Sequence, residues 1–303
     1  MSVSCTRMPA SGIRVKFPVP MNPWILLLAL FIAPVAPASA DAGVSKRIKL
    51  LTTHIDQSPE DQALRLQRAL AYVDDNEPEL ALADIKVAQT LGDPVTADYT
   101  YGVLLYRQGD NAAARPYFDR YLQAYPEDWG ALGYRARLLR DLGENRLALA
   151  DYETLMRLND ALDPGYYVAT ARLMASLPER GVDEALALLD RRIAQRGAIS
   201  TLQRYAIELE TQRGNYAAAI ARMATLDEKL RASAQWQLDV AKLLLQAGRA
   251  EEARSYLAVA QEQLQAGRMT AINRQLLETA QRLQAQALTP TEQVDEASPA
   301  PES

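Results

Sequence analysis

Residues 79–85 read ELALADI, and a closely related stretch, RLALADY, returns at residues 146–152. Similar stretches occur at four further places, and each contains an alanine that aligns with the others. The aligned alanines are Ala81, Ala114, Ala148, Ala185, Ala219 and Ala253. They are separated by 33, 34, 37, 34 and 34 residues, a near-constant spacing that indicates a repeat protein.

A large side chain follows each aligned alanine by four positions. Because residues i and i+4 lie on the same face of a helix, each pair predicts one buried helical contact. The large residues are Ile85, Phe118, Tyr152, Leu189, Met223 and Leu257. A small residue also precedes the alanine by twelve positions in four of the units, as Ala69, Gly102, Ala136 and Ala241, whereas the fifth unit has Ile207.

Glycines separate the two predicted helices of most units, at Gly109, Gly143, Gly214 and Gly248. Glycine ends a helix at little cost because it adopts the left-handed conformation readily. Prolines close the units less regularly, at Pro126 and near the expected place at Pro94 and Pro164. Each unit therefore reads as helix, turn, helix.

This pattern resembles the tetratricopeptide repeat, a 34-residue helix-turn-helix unit with the motif W-x₂-L-G-x₂-Y…A-x₃-F…P. The resemblance implies an all-α fold, a right-handed superhelical solenoid of about six such units over residues 62–267. A capping helix is expected at 268–288, with Ile272, Leu276, Leu277, Ala280 and Leu283 on one face. One unit cannot bury its own apolar face, so neighbouring units are expected to stack.

The fourth unit departs from the period by three residues, which we place around residues 176–181. Pro178 is expected to end the preceding helix. Two interpretations are open: a longer turn, which loops tolerate, or a bend that divides the array into two halves.

The N-terminal segment has the features of a signal peptide. Residues 1–40 contain three basic residues, no acidic residue, an apolar run from Trp24 to Val35 and the small-residue sequence Ala38-Ser39-Ala40. Cleavage after Ala40 would leave no transmembrane span and change the net charge from −5 to −8, since three positive charges are removed. The alternative is an uncleaved anchor, although the run is shorter than the roughly 20 residues that a span requires. We expect an exported bacterial protein of the periplasm.

The two remaining segments are polar. Residues 41–61 are predicted to be a lead-in with at most a partial helix. Residues 289–303 consist mainly of Pro, Ser, Thr, Glu and Ala, and we predict a disordered tail.

The residue inventory argues against catalysis. His54 is the single histidine and Cys5 the single cysteine, so catalytic triads and metal sites built on these residues are not expected. We predict neither an enzyme nor a cofactor. The acidic balance also argues against a nucleic-acid partner, which favours a basic face.

The resemblance further implies that partners bind where the first helices of successive units line a concave face. On that basis Tyr99, Tyr106, Arg107, Arg137 and Arg140 are the predicted partner-binding residues, because aromatic and arginine side chains dominate binding hot spots. Neighbouring arginines would also suit an anionic group. The competing interpretation is a solvated face on which Asp98, Asp128 and Asp141 neutralise the arginines.

The predicted function is a non-catalytic scaffold or adaptor that binds a protein or peptide in the cell envelope. The alternative is a component of a machine for polysaccharide secretion or assembly, in contact with glycan as well as protein.

Overall fold

A computed structural model describes residues 38–197 and 199–288 of the chain. The predicted signal peptide, apart from its last three residues, and the predicted tail at 289–303 lie outside the described residues. The described part contains fifteen helices and no strand. They are α1 Ala38–Gln57, α2 Gln62–Asp74, α3 Pro78–Leu91, α4 Pro94–Arg107, α5 Asn111–Ala124, α6 Trp129–Asp141, α7 Asn145–Leu158, α8 Pro164–Ser176, α9 Gly181–Arg196, α10 Ser200–Gln212, α11 Tyr216–Met223, α12 Glu228–Arg231, α13 Ala234–Gln246, α14 Ala250–Ala266 and α15 Ala271–Leu288.

The helices of residues 44–288 pack in consecutive pairs. The pairs are α2–α3, α4–α5, α6–α7, α8–α9, α10–α11 and α13–α14. Helix α15 lies against α13 and α14, and the single turn α12 is inserted within the fifth repeat period. The prediction of an all-α array of six helix-turn-helix units followed by a C-terminal helix is confirmed.

Aspartates begin many of these helices. Asp110 and Asp128, for example, accept hydrogen bonds from the backbone N–H groups of Ala113 and Ala131 at 3.0 and 2.8 Å. Such caps satisfy donors that the first turn leaves without partners. The abundance of acidic residues between helices thus has a structural cause.

The aligned small residues lie at the contacts between paired helices. All six aligned alanines are fully buried. At the first-helix position of the second unit, a Cβ added to Gly102 would lie only 3.0 Å from the ring of Phe118. The small residues are therefore required by the close approach of the two helices.

The turns within five of the units share one geometry. Gly143, with φ 79°, donates its N–H to the carbonyl of Arg140, and Glu144 donates to that of Leu139. This is the Schellman motif, which ends a helix with a residue in the left-handed region. The same bonds recur around Gly109, Gly214 and Gly248, and Asn76 takes the glycine position in the first unit with φ 61°.

The three extra residues of the fourth unit are distributed more widely than predicted. One lies in the connection at 159–163, which has five residues where 125–128 has four, and one in the turn at 177–180. The third lies in the first turn of α9, which begins four residues before Ala185 rather than three. Helix α8 ends at Ser176, as Pro178 predicts.

The apolar core is continuous through this unit. One cluster extends from Leu66 in α2 to Leu209 in α10, and a second extends from Ala219 in α11 to Ala287 in α15. The longer-turn interpretation therefore fits the fourth unit. The division between the clusters falls one unit later, between α10 and α11.

The two terminal helices differ from the expectations in detail. Within the segment taken as a polar lead-in, α1 is helical to Gln57 and buries Leu51 and Ile55, which are one turn apart. In α15, Ala280 and Leu283 are buried as expected, whereas Ile272 is 68% exposed because it lies in the first turn, before the helix meets the core.

First helices approach one another along the stack. Helix α2 lies against α4, α4 against α6, α8 against α10, and α13 against α15. Among the described residues no two successive second helices approach so closely. The first helices therefore line the inner side of the stack, called the inner face below. No helix in the described ranges is both long and apolar enough to cross a bilayer.

Candidate functional site

A stripe of aromatic and cationic side chains crosses three successive first helices on the inner face. We call Tyr99 and Tyr106 of α4, Tyr134 and Arg137 of α6, and Tyr166 of α8 the tyrosine–arginine stripe. All five are half-buried, so each has one packed side and one side open to solvent. The stripe extends over the second, third and fourth units.

Tyr134 is at the centre of the stripe. Its ring meets those of Tyr99 and Tyr106 edge to face, with centroids 6.1 and 5.7 Å apart. Beneath it the buried ring of Phe118 is stacked at 5.9 Å, with an interplanar angle of 7°. Such aromatic pairs add about 0.5–1.5 kcal/mol beyond the area that they bury, so the tyrosines are held in fixed positions.

Arg137 lies between two tyrosines. Its guanidinium carbon is 5.7 Å from the centroid of Tyr134 and 5.0 Å from that of Tyr166, and Nη2 donates a hydrogen bond to the Tyr166 hydroxyl at 2.5 Å. No carboxylate of the described residues forms an ion pair with it. Arg137 is therefore a positioned cation whose charge is not neutralised by a carboxylate.

Two glycines of α6 make room for the tyrosines of its neighbours. A Cβ at Gly133 would lie 3.1 Å from the hydroxyl of Tyr166, and one at Gly130 would lie 3.2 Å from that of Tyr99. Both distances are shorter than ordinary van der Waals contact. A side chain at either position would therefore require the tyrosine ring above it to shift by a few tenths of an ångström.

Burial raises the pKa of two phenols of the stripe, Tyr99 and Tyr106. Desolvation raises the pKa of Tyr99 well above its usual value of 10, and Tyr134 and Asp128 add to the shift. Desolvation also raises the pKa of Tyr106, with a further contribution from Asp141. Both hydroxyls therefore remain protonated donors throughout the physiological range.

The other two predicted arginines are paired. Arg107 lies 3.3 Å from Asp74, and Arg140 lies 2.8 Å from its chain neighbour Asp141. Both pairs are partly exposed, and such pairs contribute at most about 1 kcal/mol. Arg107 and Arg140 are thus paired with carboxylates, but of the three aspartates named for a neutralised face only Asp141 takes part, because Asp98 pairs with Arg120 and Asp128 caps α6.

Two stripe residues, Tyr134 and Tyr166, were missed by the sequence reasoning. The repeat alignment matches Tyr99 with Gly133, and Tyr134, one residue later, aligns with Thr100, which was not among the predicted residues. Tyr166 lies in the irregular fourth unit, where no register was assigned. The repeat period offered no signal for Tyr134, because the equivalent residue of the second unit is a buried threonine.

A separate groove of about 430 Å³ lies between α10 and α13, and Arg204, Gln235 and Lys242 are among the residues that line it. No cluster of three or more His, Cys, Asp or Glu side chains suited to a metal ion occurs in the described ranges.

Comparison with known proteins gives one family. The model described as tetratricopeptide repeat matches residues 66–129 and 99–167. No curated protein matches the sequence.

Solved structures of similar fold share little sequence. A tetratricopeptide repeat protein from Parabacteroides merdae is 18% identical with a TM-score of 0.47, over 80% of this chain and 94% of that one. YrrB, described as having an unusual peptide-binding site, is 22% identical with a TM-score of 0.48, over 58% and 89%. Pseudomonas aeruginosa pilF is 18% identical with a TM-score of 0.47, over 63% and 92%.

Proposed function

This chain belongs to the tetratricopeptide repeat family, and we propose that it is a non-catalytic scaffold whose inner face binds a segment of a partner protein. The tyrosine–arginine stripe is the proposed contact surface. The partner segment would lie across α4, α6 and α8, and its apolar side chains would pack on the tyrosine rings.

The observation that carries this proposal is the state of Arg137. Its guanidinium is held between two rings without a carboxylate partner, so its remaining donors are available to a carbonyl or carboxylate of a bound segment. Tyrosine and arginine are enriched at binding hot spots because they offer a large contact area and directed hydrogen bonds. Their fixed packing also reduces the entropy lost on binding.

We further propose that the scaffold works in the bacterial periplasm. The support is the composition of residues 1–40, with its basic start, apolar run and small-residue site. Cleavage after Ala40 would remove only the first three residues of α1. N-terminal sequencing of the protein from a periplasmic extract tests this, and a mature chain that begins at Asp41 is expected.

Photo-crosslinking in cells tests the stripe. A crosslinking amino acid at Tyr106 is expected to give a discrete protein adduct, whereas the same group at Lys86, an exposed position on second helix α3, gives none. The adduct should weaken at least tenfold in an Arg137→Glu variant with an unchanged circular dichroism spectrum. Equal adducts from both positions, or none from Tyr106 in the folded protein, would contradict the proposal.

The same experiment addresses the polysaccharide alternative. Aromatic rings also stack on sugars, so the stripe is a suitable surface for glycan contact. Glycan binding that is lost in Tyr134→Ala, without any protein adduct from Tyr106, would support a role in polysaccharide secretion or assembly instead.

A further inference from the structure

The fifth unit opens a groove because its second helix is short. Helix α11 has eight residues, whereas α3, α5 and α7 have fourteen each. After Met223 the chain turns and forms the single turn α12 before α13 begins at Ala234. The missing helical turns leave a groove of about 430 Å³ between α10, α12 and α13.

Apolar side chains form one part of the wall of this groove. They are Ile207, Met223, Leu226, Leu230, Trp236 and Leu243, and the other seven lining residues are polar or charged. The indole Nε1 of Trp236 donates to the carbonyl of Met223 at 3.1 Å, which fixes the ring against the end of α11. Ile207 occupies the position at which three other units have alanine and one has glycine. In those units the small residue allows close helix packing, whereas in the fifth unit the isoleucine side chain lines the groove.

A second groove of about 780 Å³ lies beside the first, between α13 and α15. Gln235, Asp239, Lys242 and Gln246 line both. The two together, called the C-terminal trough below, cross α10, α13 and α15. A trough that crosses three helices suits an extended chain better than a compact small molecule.

The charge of the C-terminal trough is opposite to that of the chain. The protein has a net charge of −5, yet the trough is lined by the cations Arg204, Lys242 and Arg282 and by one carboxylate, Asp239. All three cations are exposed, and none forms an ion pair with a carboxylate of the described residues.

Asp239 is a single carboxylate and cannot balance all three cations. Its carboxylate accepts a hydrogen bond from Gln235 Nε2 at 2.8 Å. Desolvation raises the pKa of Asp239, while the hydrogen bond, Lys242 and Arg204 act in the opposite direction. Both cations are thus near one carboxylate, and an excess of positive charge remains beside the apolar wall.

We propose that the C-terminal trough binds an acidic peptide segment of a partner protein. One bulky apolar side chain of that segment would fill the groove beside Trp236. Flanking carboxylates would pair with Arg204 and Lys242 on one side and with Arg282 at the far end. This site is separate from the tyrosine–arginine stripe and differs from it in charge and in the helices that form it.

Selection from a random peptide library displayed on phage, with the folded full-length chain as bait, tests this proposal. The expected peptides carry several Asp or Glu residues around one aromatic or large aliphatic residue. Their binding, measured by fluorescence anisotropy with the synthetic peptide, should fall at least tenfold in the variant Arg204→Glu/Lys242→Glu. It should change less than twofold in the matched control Lys229→Glu/Arg274→Glu, whose positions are exposed and outside the trough.

Two further measurements identify the site. Replacing the apolar anchor of the peptide by serine should weaken binding, as should Thr211→Trp, which fills the groove. The selected peptide should still bind the Arg137→Glu variant, because this substitution alters only the tyrosine–arginine stripe. The proposal for the stripe and the proposal for the C-terminal trough can therefore fail independently.

Several outcomes would overturn the proposal. They are the absence of any selected peptide, selected peptides without an acidic bias, and equal binding to the Arg204→Glu/Lys242→Glu variant. Self-association of the chain that this variant abolishes would also do so, since the occupant would then be a second copy. Sedimentation velocity of the unmodified chain and of the Arg204→Glu/Lys242→Glu variant would show whether the chain self-associates through the C-terminal trough.

Discussion

Ala148 illustrates how much a single residue of this repeat determines. Its methyl group is fully buried, and Tyr152, one turn later on the same helix, fills the space beside it. The sequence predicts both environments, because the aligned alanine and the large residue four positions later occur together in all six units. The position of a residue within the repeat, and not only its hydrophobicity, therefore predicts that Ala148 lies at the contact between the paired helices.

Ala148→Arg should destabilise the array strongly. Overpacking costs about 1–3 kcal/mol, and burial of the guanidinium without a partner adds to it. A large fall in melting temperature by circular dichroism is expected. The neighbouring Leu147→Arg is the control, because Leu147 is 50% exposed and should tolerate the change. Equal melting temperatures for the two variants would show that the third unit is misaligned.

At the scale of helices, the turn geometry recurs although its sequence does not. Four turns have glycine in the left-handed position, and the first has Asn76. Asparagine adopts this conformation more readily than other non-glycine residues, which explains why a unit without the glycine signal folds in the same way.

A reciprocal exchange at these positions should alter stability in opposite directions. Asn76→Gly is expected to raise the free energy of unfolding by about 0.5–1 kcal/mol, and Gly143→Asn to lower it by a similar amount, through the cost of a positive φ. A Cβ at Gly143 meets no atom within 4 Å, so no clash enters the comparison. Urea titration of both variants measures the change, and shifts of the same sign would refute the explanation.

Paired helices are also joined by buried ion pairs that sequence reasoning did not identify. Arg68 binds Asp84 through two hydrogen bonds at 2.7 and 2.8 Å, and Arg135 binds Asp151 in the same way. Both aspartates belong to the ALAD stretches that reveal the repeat. Their partners, sixteen residues earlier, become visible only when the helices are packed.

For the whole array of described helices, the apolar core is divided into two clusters, a division that the regular repeat spacing does not indicate. The spacing across the fifth unit is a regular 34 residues, yet α11 is short and the clusters separate there. The residues of α12 and its flanking turns make up for the short α11, so the unit keeps its length of 34 residues although its second helix is interrupted.

Hydrogen exchange should detect this division. The free energy of unfolding of a repeat array is approximately the sum of the stabilities of its units and of the interfaces between them, so a weak interface allows local opening. We expect amides of α13 and α14 to exchange as a group, faster than those of α4 to α9, in native-state exchange followed by mass spectrometry. A single exchange rate for both groups at low denaturant would indicate one cooperative core.

The class of fold, the number of units and the buried alanines could be predicted from the sequence, because they depend on spacings along one helix or between two neighbouring helices. The packed units were needed to show that Arg137 has no carboxylate partner among the described residues while Arg107 and Arg140 are paired, and that Tyr134 and Tyr166 complete the stripe. The pairing of Arg107 with Asp74 and the contact of Arg137 with Tyr166 depend on which side chains of different units meet. The repeat period specifies which positions face a neighbouring unit, but the side chains at those positions differ from unit to unit, so their contacts are known only once the units are packed.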